Sequence, residues 1–186
     1  MEQSVLVIPD KAKLSALYNA SRKGYEEALE QFLSNVETVL SERGLKPTLK
    51  GRVKEFDSYY TKKLRLLKKA WTEKTMPLPV NDILAIRVVC PFLGDLAIAE
   101  KVLSGHFSIE EIERKGAERS FREFGYESIH VLVQVPDDIA ALCPHLERNV
   151  IEIQLRTILQ EAWAEVEHEL VYKAEFTPFD EPMRRK

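Results

Sequence analysis

The chain has 186 residues, of which 45% are hydrophobic, and a formal net charge of −3. This size predicts one soluble domain with a core of ordinary size, and the nearly balanced charge gives no global case for nucleic-acid binding. No apolar stretch is long enough to span a membrane, and the N-terminus lacks the basic region of a signal peptide. Cys90 and Cys143 stand alone in apolar contexts, which favours reduced thiols and a cytoplasmic location.

The first part of the chain predicts a helix, a strand and a second helix. Residues 11–42 carry apolar side chains at helical spacing, with a break or bend expected near Gly24 and a C-cap at Gly44. We interpret this segment as a packing helix. A short strand over 48–54 and a basic helix over about 58–74 should follow it.

A basic motif spans the predicted junction between that strand and that helix. Arg52 and Lys54 are two residues apart, so on a strand they share a face, and Ser58 and Lys62 are four apart, so on a helix they share a face. A helix that starts near Ser58 would add free backbone N–H groups, which attract anions. The cluster indicates a polyphosphate site. The alternative is a solvated basic helix face.

The run from Ile83 to Phe92 is nearly continuous in apolar residues, as expected for a buried central strand. Arg87 interrupts it, and because an unpaired buried charge is costly, Arg87 must be paired or face a cleft. Asp82 precedes the run and suits a hard cation such as Mg²⁺. The alternative for Asp82 is a turn residue after Asn81.

The next segment predicts a helix over 94–105, a strand over 107–112, a mobile polar loop over 114–123 and a strand over 128–135. Tyr126, Ser128 and His130 alternate, so they should share one face of that strand. A tyrosine there can stack on a nucleobase. The alternative is a surface tyrosine and a hydrogen-bonded histidine.

The last stretch, from Val150 to Lys173, predicts a strand that runs directly into a helix. Polar and apolar residues alternate in the strand, and Thr157 is expected to cap the helix. The polar positions are Glu152, Gln154 and Arg156, and the apolar positions of the helix are Ile158, Ala162, Val166 and Leu170, with Trp163 beside them. The strand can build a polar site, although a half-buried strand with a solvated face is the alternative. The elements together predict an α/β (α+β) fold with a mixed sheet of about five strands.

Four of these stretches, taken in order, resemble the synthetase domain of the RelA/SpoT family of (p)ppGpp synthetases. They are RVKEFDSYYTK from Arg52, DILAIR from Asp82, FGYESIH from Phe124, and EIQLRT with WAEVEH and YK from Glu152. The version WAxxEH is most similar to the small single-domain synthetases. The resemblance implies one nucleotidyltransferase-like domain over 1–186, with an N-terminal helical segment at 1–44, a catalytic core at 45–175 and no hydrolase domain.

The resemblance also implies a reaction, in which the pyrophosphoryl group of ATP is transferred to the ribose 3′-hydroxyl of GDP or GTP. Asp82 and Glu152 would bind Mg²⁺, and Glu152 would also take the proton of the attacking hydroxyl. The remaining roles are ATP binding by Arg52, Lys54, Ser58, Lys62 and Arg87, and acceptor binding by Tyr126, His130, Gln154, Arg156 and Glu167. In this scheme the two arginines enclose the adenine and Tyr126 stacks on the guanine.

The chain departs from the common family pattern on the acceptor side, where Glu127 replaces the usual Arg or Gln. The acceptor is therefore less determined than the donor, and GDP, GTP, GMP, an adenosine nucleotide or the tRNA 3′ end stay open. One alternative is a related toxin that pyrophosphorylates adenosine nucleotides or tRNA. Another is a catalytically silent module that binds nucleotides or RNA. The family also suggests a homo-oligomer.

Overall fold

The computed structural model describes residues 8–116 and 128–174, with side chains in the last helix described as far as residue 166. Within these residues five helices and five strands are present. The helices are α1 (Lys11–Ser41), α2 (Phe56–Glu73), α3 (Leu93–His106), α4 (Asp137–Ala140) and α5 (Ile158–Ala174). The strands are β1 (Thr48–Val53), β2 (Leu84–Cys90), β3 (Ile109–Lys115), β4 (Ser128–Gln134) and β5 (Val150–Thr157).

The strands form a single sheet in the order β1-β2-β5-β4-β3. The central pair, β2 and β5, is parallel, and the other neighbouring pairs are antiparallel. The predicted mixed sheet of about five strands and the α+β class are therefore confirmed. Parallel strands need a long crossover connection, which the chain between β2 and β5 provides with α3, β3 and β4.

The hydrophobic core lies on one face of the sheet, where α1 and α3 pack. Alternate residues of the strands point into it, among them Ile86 of β2, Val131 of β4 and Ile153 of β5. The intervening residues of the same strands point to the opposite face. That second face carries the polar side chains.

Helix α1 continues through Gly24, so the predicted break there is wrong. A Cβ atom on Gly24 would lie 2.1 Å from the backbone oxygen of Leu142, which follows α4. The glycine is needed because another segment of backbone approaches the helix closely at this point. The end of the helix was predicted correctly, since Gly44 follows it with a φ of 75°.

Two other boundaries differ from the predictions. Helix α2 begins at Phe56 rather than near Ser58, so Ser58 lies inside the first turn. Strand β3 extends to Lys115, so Arg114 belongs to a strand and not to the predicted loop. The part of that predicted loop beyond residue 116 lies outside the described residues.

The start of α5 is capped as predicted. Gln160 N donates to Thr157 Oγ1 at 3.2 Å, and Thr157 N donates to Gln160 Oε1 at 2.8 Å, a reciprocal capping box. Two of the apolar residues of this helix, Ile158 and Val166, are about half exposed, whereas Glu161 is buried. The predicted helix is therefore present, but apolar spacing does not identify its buried residue Glu161.

Two further predictions concern the environment of the chain. No helix in the described part of the chain is long and apolar enough to cross a membrane. Cys90 and Cys143 are buried and carry free thiols, as their apolar contexts indicated.

Candidate functional site

One face of the sheet carries polar side chains from the four strands β1, β2, β4 and β5. We call it the polar face and define it by six residues: Arg52, Arg87, His130, Glu152, Gln154 and Arg156. The register places Arg87 of β2 and His130 of β4 on either side of Gln154 of β5. Although the face is polar, all eight residues of β5 are buried, so the alternative of a solvated strand face is wrong.

Asp82 lies just before β2 and contacts two lysines. Lys54 Nζ donates to Asp82 Oδ2 at 2.7 Å, and Lys62 Nζ lies 2.9 Å from Asp82 Oδ1. Asp82 and Lys54 are 9% and 8% exposed, so this group is largely removed from water. The backbone of Lys54 is held in place because the hydroxyl of Tyr18 in α1 donates to its carbonyl oxygen. The end of β1, through Lys54, and helix α2, through Lys62, thus both contact the carboxylate of Asp82.

The charge state of Asp82 follows from these contacts. Burial by itself would raise the pKa of Asp82, but the hydrogen bond from Lys54 and the charge of Lys62 outweigh it and lower the pKa. Within the described residues, the buried Oδ1 atom accepts no well-directed hydrogen bond, and Lys62 contacts it as an ion pair. Asp82 is therefore an ionised carboxylate, each of whose oxygens is in contact with a lysine.

Glu152 is held by two neighbours on the polar face. His130 Nδ1 lies 2.8 Å from Glu152 Oε1, and Gln154 Nε2 donates to Glu152 Oε2 at 2.6 Å. Burial would raise the pKa of Glu152, but the contact with His130 and the hydrogen bond from Gln154 lower it overall. Since Glu152 is ionised, we assign the proton of this contact to His130 Nδ1. These neighbours fix the orientation of the carboxylate.

The polar network continues from Gln154 through Arg156. Arg156 Nη2 donates to Gln154 Oε1 at 3.0 Å, and its Nε donates to Ser128 Oγ at 3.1 Å. Its Nη1 donates to Glu161 Oε2 at 2.9 Å. Ser128 and His130 both reach this network from β4, so the prediction that they share a face is confirmed.

Glu161 links the network to β1 and β2. It is not among the site residues predicted from the sequence. Its Oε1 accepts from Arg87 Nη1 at 3.0 Å and lies 3.5 Å from Lys50 Nζ. Burial would raise the pKa of Glu161, but the charge of Arg87 and the hydrogen bond from Arg156 lower it overall. Arg87 also donates to Glu165 at 3.2 Å, so the prediction that Arg87 is paired is confirmed. No local sequence signal distinguishes Glu161 from the exposed acidic residue Glu165 of the same helix.

A groove on the polar face opens beside β1 and β2, with a cavity volume of about 240 Å³. Its lining consists of Lys50, Gly51, Arg52, Ala85, Arg87 and Gln154. Arg52 and Arg87 face the same groove from adjacent strands, and Arg52 is exposed. Two guanidinium groups that line one groove can hold an aromatic or anionic group between them.

One predicted site residue takes no part in these contacts, and the side chains of two others lie outside the part of the chain that the structure describes. Ser58 is exposed in the first turn of α2. Tyr126 lies outside the described residues. Glu167 belongs to the backbone of α5, but its side chain is not among those described.

The donors at Asp82 and Glu152 fit a hard divalent cation. Both are ionised carboxylates, and they lie close enough for the charge of Asp82 to raise the pKa of Glu152. Mg²⁺ is commonly held in proteins by one or two carboxylates together with substrate phosphates. The carboxylate oxygens of Asp82, which two lysines contact in this structure, are ones that such an ion could use.

Comparison with known proteins places this arrangement in a family. The region found in RelA / SpoT proteins matches residues 51–177. The GTP pyrophosphokinase YwaC of Bacillus subtilis (strain 168) is 32% identical over 126 residues, which cover 67% of this chain and 57% of the relative. The chain therefore spans little more than half the length of this curated relative.

Two solved structures have the same fold. The small alarmone synthetase 2 of Bacillus subtilis has a TM-score of 0.62 at 28% identity, covering 84% of this chain and 80% of that one. The small alarmone synthetase 1 of Bacillus subtilis, solved with its product pppGpp, has a TM-score of 0.62 at 24% identity, covering 86% and 81%. Since the family region matches most of the chain and includes the polar face, the protein belongs to the RelA/SpoT family.

Proposed function

We propose that this protein is an alarmone synthetase that transfers the pyrophosphoryl group of ATP to the 3′-hydroxyl of GDP or GTP, giving (p)ppGpp. The observation that carries the proposal is the convergence of Lys54 and Lys62 on Asp82, together with a second ionised carboxylate, Glu152, that His130 and Gln154 hold on the polar face. Phosphoryl transfer needs cations for the phosphates, carboxylates for a metal and an oriented nucleophile, rather than a covalent intermediate.

The donor nucleotide would lie along β1, β2 and α2. Arg52 and Arg87 line one groove, in which the adenine would stack between their guanidinium groups. Lys54 and Lys62 are the nearest cations to Asp82 and would bind the phosphates, with Ser58 on the same helix face as Lys62. This placement keeps the phosphates beside the carboxylates.

The acceptor would approach from β4 and β5. Glu152 is ionised and oriented by His130 and Gln154, so it is suited to accept the proton of the attacking ribose hydroxyl. Asp82 and Glu152 would hold Mg²⁺, and the chemistry that Mg²⁺ supplies when bound is neutralisation of the charge on the phosphates. Acceptor contacts by Arg156, Glu167 and a stacking Tyr126 stay predictions of the family resemblance.

Two relatives support this activity. YwaC is named a GTP pyrophosphokinase, but the match spans 57% of its length. The related synthetase 1 structure contains pppGpp, a guanosine nucleotide of the class that we propose as product. We further propose that the described residues form a catalytic domain, that the protein is a homo-oligomer, and that it is cytoplasmic, the last supported by two free buried thiols.

Label transfer from ATP tests the proposed function. The protein is incubated with γ-labelled ATP, Mg²⁺ and one acceptor at a time: GDP, GTP, GMP, an adenosine nucleotide or tRNA. We expect label on GDP or GTP, and a loss of about 10²–10³ in kcat for Glu152→Gln, as for removal of other electrostatic groups at a reacting centre. Glu111→Gln, on the exposed strand β3, is the matched control.

Each other outcome supports a different account. Label on tRNA or on an adenosine nucleotide alone would replace the alarmone reaction with that of the related toxins. Binding of ATP without labelling of any acceptor would favour a silent nucleotide-binding module. Full activity of Glu152→Gln at saturating Mg²⁺ would show that Glu152 has neither of its proposed roles.

A further inference from the structure

Asp82 faces two lysines that come from different elements. Lys54 follows β1 and Lys62 lies in α2, and each ammonium group contacts its own oxygen of the carboxylate, at 2.7 and 2.9 Å. The side chains of Asp82, Lys54 and Lys62 are 12%, 10% and 29% exposed. Because the group is largely buried, solvent ions screen these contacts only weakly.

The charges in this region are already balanced. Lys54 and Lys62 carry two positive charges, and Asp82 and Glu152 carry two negative charges, of which that of Asp82 raises the pKa of Glu152. A Mg²⁺ ion has the same charge as the two lysines together. If the ion joined the carboxylates while both lysines stayed, a buried region would hold two uncompensated positive charges, which is strongly unfavourable.

We propose that Lys54 and Lys62 are counter-ions that keep Asp82 from binding Mg²⁺ until ATP arrives. This inference rests on the proposed function, in which the same lysines bind the phosphates of ATP. The phosphates draw the two ammonium groups away from Asp82 and leave its oxygens free for the metal. Metal and nucleotide then bind with positive coupling, and by linkage each raises the affinity of the other by the same factor.

The first test measures metal binding without nucleotide. Mn²⁺ replaces Mg²⁺, and the free ion is counted by its electron paramagnetic resonance signal in titrations of the full chain. Lys62→Gln should bind Mn²⁺ roughly tenfold more tightly than the wild type, within the usual range for coupling between two sites. Lys69→Gln removes the same charge from an exposed position of α2 and should leave the affinity for Mn²⁺ unchanged. Adding Asp82→Asn to Lys62→Gln should abolish the gain.

The second test measures ATP binding without metal, by calorimetry in the presence of EDTA. Asp82→Asn releases both lysines, so it should bind metal-free ATP roughly tenfold more tightly than the wild type. Glu152→Gln removes an equal charge from β5. Among the described residues Glu152 pairs with His130 and with neither lysine, so the affinity of this variant for metal-free ATP should change little. If Asp82 were a metal ligand alone, its substitution would leave metal-free ATP binding unchanged. Circular dichroism confirms that each variant is folded.

Two results would overturn the counter-ion role. One is equal Mn²⁺ affinity in the wild type and Lys62→Gln, and the other is equal metal-free ATP affinity in Asp82→Asn and Glu152→Gln. Neither measurement needs turnover, so failure of this inference is distinct from failure of the proposed function. Label transfer with unchanged affinities refutes only the counter-ion role, whereas the expected affinities without label transfer refute only the reaction.

Discussion

Glu161 joins two parts of the polar face through a single carboxylate. One oxygen accepts from Arg87 of β2 and the other from Arg156 of β5. Arg156 is 5% exposed and Glu161 is 6% exposed, so neither charge can be solvated if its partner is removed. Loss of one member of a buried ion pair is much more destabilising than loss of an exposed one.

Truncation of Glu161 should therefore lower the stability of the fold. We expect Glu161→Ala to reduce the free energy of unfolding by about 3 kcal/mol, the usual cost of breaking a buried pair. Glu165→Ala removes a carboxylate that contacts the same Arg87 but is exposed, and its effect should stay within about 1 kcal/mol. Urea denaturation measures the free energy of unfolding of both variants. Equal losses would show that the buried carboxylate stabilises the fold no more than the exposed one does.

Arg52 offers a cleaner test of the groove, because it is exposed and its removal should not disturb the core. If it stacks on the adenine, Arg52→Ala should raise KM for ATP about tenfold, which corresponds to roughly 1–2 kcal/mol of cation–π contact. Steady-state kinetics measures this, with KM for the acceptor unchanged. Arg65→Ala, on the exposed side of α2, is the control, and an equal rise in that variant would exclude a specific stacking role.

At the scale of elements, α1 serves as the support for the edge of the sheet and for the connection after α4. It contacts β1, α2, α3 and α4, and its Tyr18 hydroxyl holds the carbonyl of Lys54. Its one internal glycine lies where the Leu142 carbonyl approaches most closely. The position of the helix is thus tied to the connection after β1 and to the segment after α4.

Substitution of Gly24 should show how tightly this contact is packed. Alanine favours a helix over glycine by up to about 1 kcal/mol, yet overpacking typically costs about 1–3 kcal/mol, so we expect Gly24→Ala to be destabilising by about 1–2 kcal/mol. Gly94→Ala, in α3, meets no atom within 4 Å and should be neutral or slightly stabilising. Urea denaturation of the two variants provides the comparison. A stabilised Gly24→Ala variant would contradict the close approach.

At the scale of the whole molecule, three buried carboxylates link stability to pH. Asp82, Glu152 and Glu161 each have a pKa below the ordinary value of 3.8 for Asp or 4.5 for Glu. A depressed pKa in the folded state means that the carboxylate stabilises the fold above the ordinary pKa. That contribution is lost as the pH falls through the lower, folded-state pKa.

We therefore expect the free energy of unfolding to fall steeply as the pH is lowered from about 5 to about 3, because all three groups must take up protons. Urea denaturation at a series of pH values measures this change. Glu161→Gln has one such group fewer, so its stability should depend less on pH in this range. Equal slopes in the wild type and the variant would show that Glu161 does not contribute.

The strands, and the placement of several polar residues on one face of the sheet, could be predicted from the sequence because their signals are local. Alternation in β5 separated Glu152 and Gln154 from the core residues between them, and the cost of a lone buried charge predicted a partner for Arg87. The identity of that partner depends on how α5 crosses the sheet, which no local pattern contains. Likewise, the sequence around Gly24 predicts a helix break. The reason for a glycine within the continuous helix is the close approach of the Leu142 carbonyl, which depends on tertiary packing.

The parallel pairing of β2 with β5 has a consequence for synthesis of the chain. Strand β2 can pair with β1 early, but its other neighbour, β5, is made after β3 and β4. Until β5 leaves the ribosome, β2 keeps one unpaired edge, and β4 also lacks the strand that separates it from β2. The nascent chain is therefore exposed to strand-edge association until β5 is made, and the sheet then closes in one step.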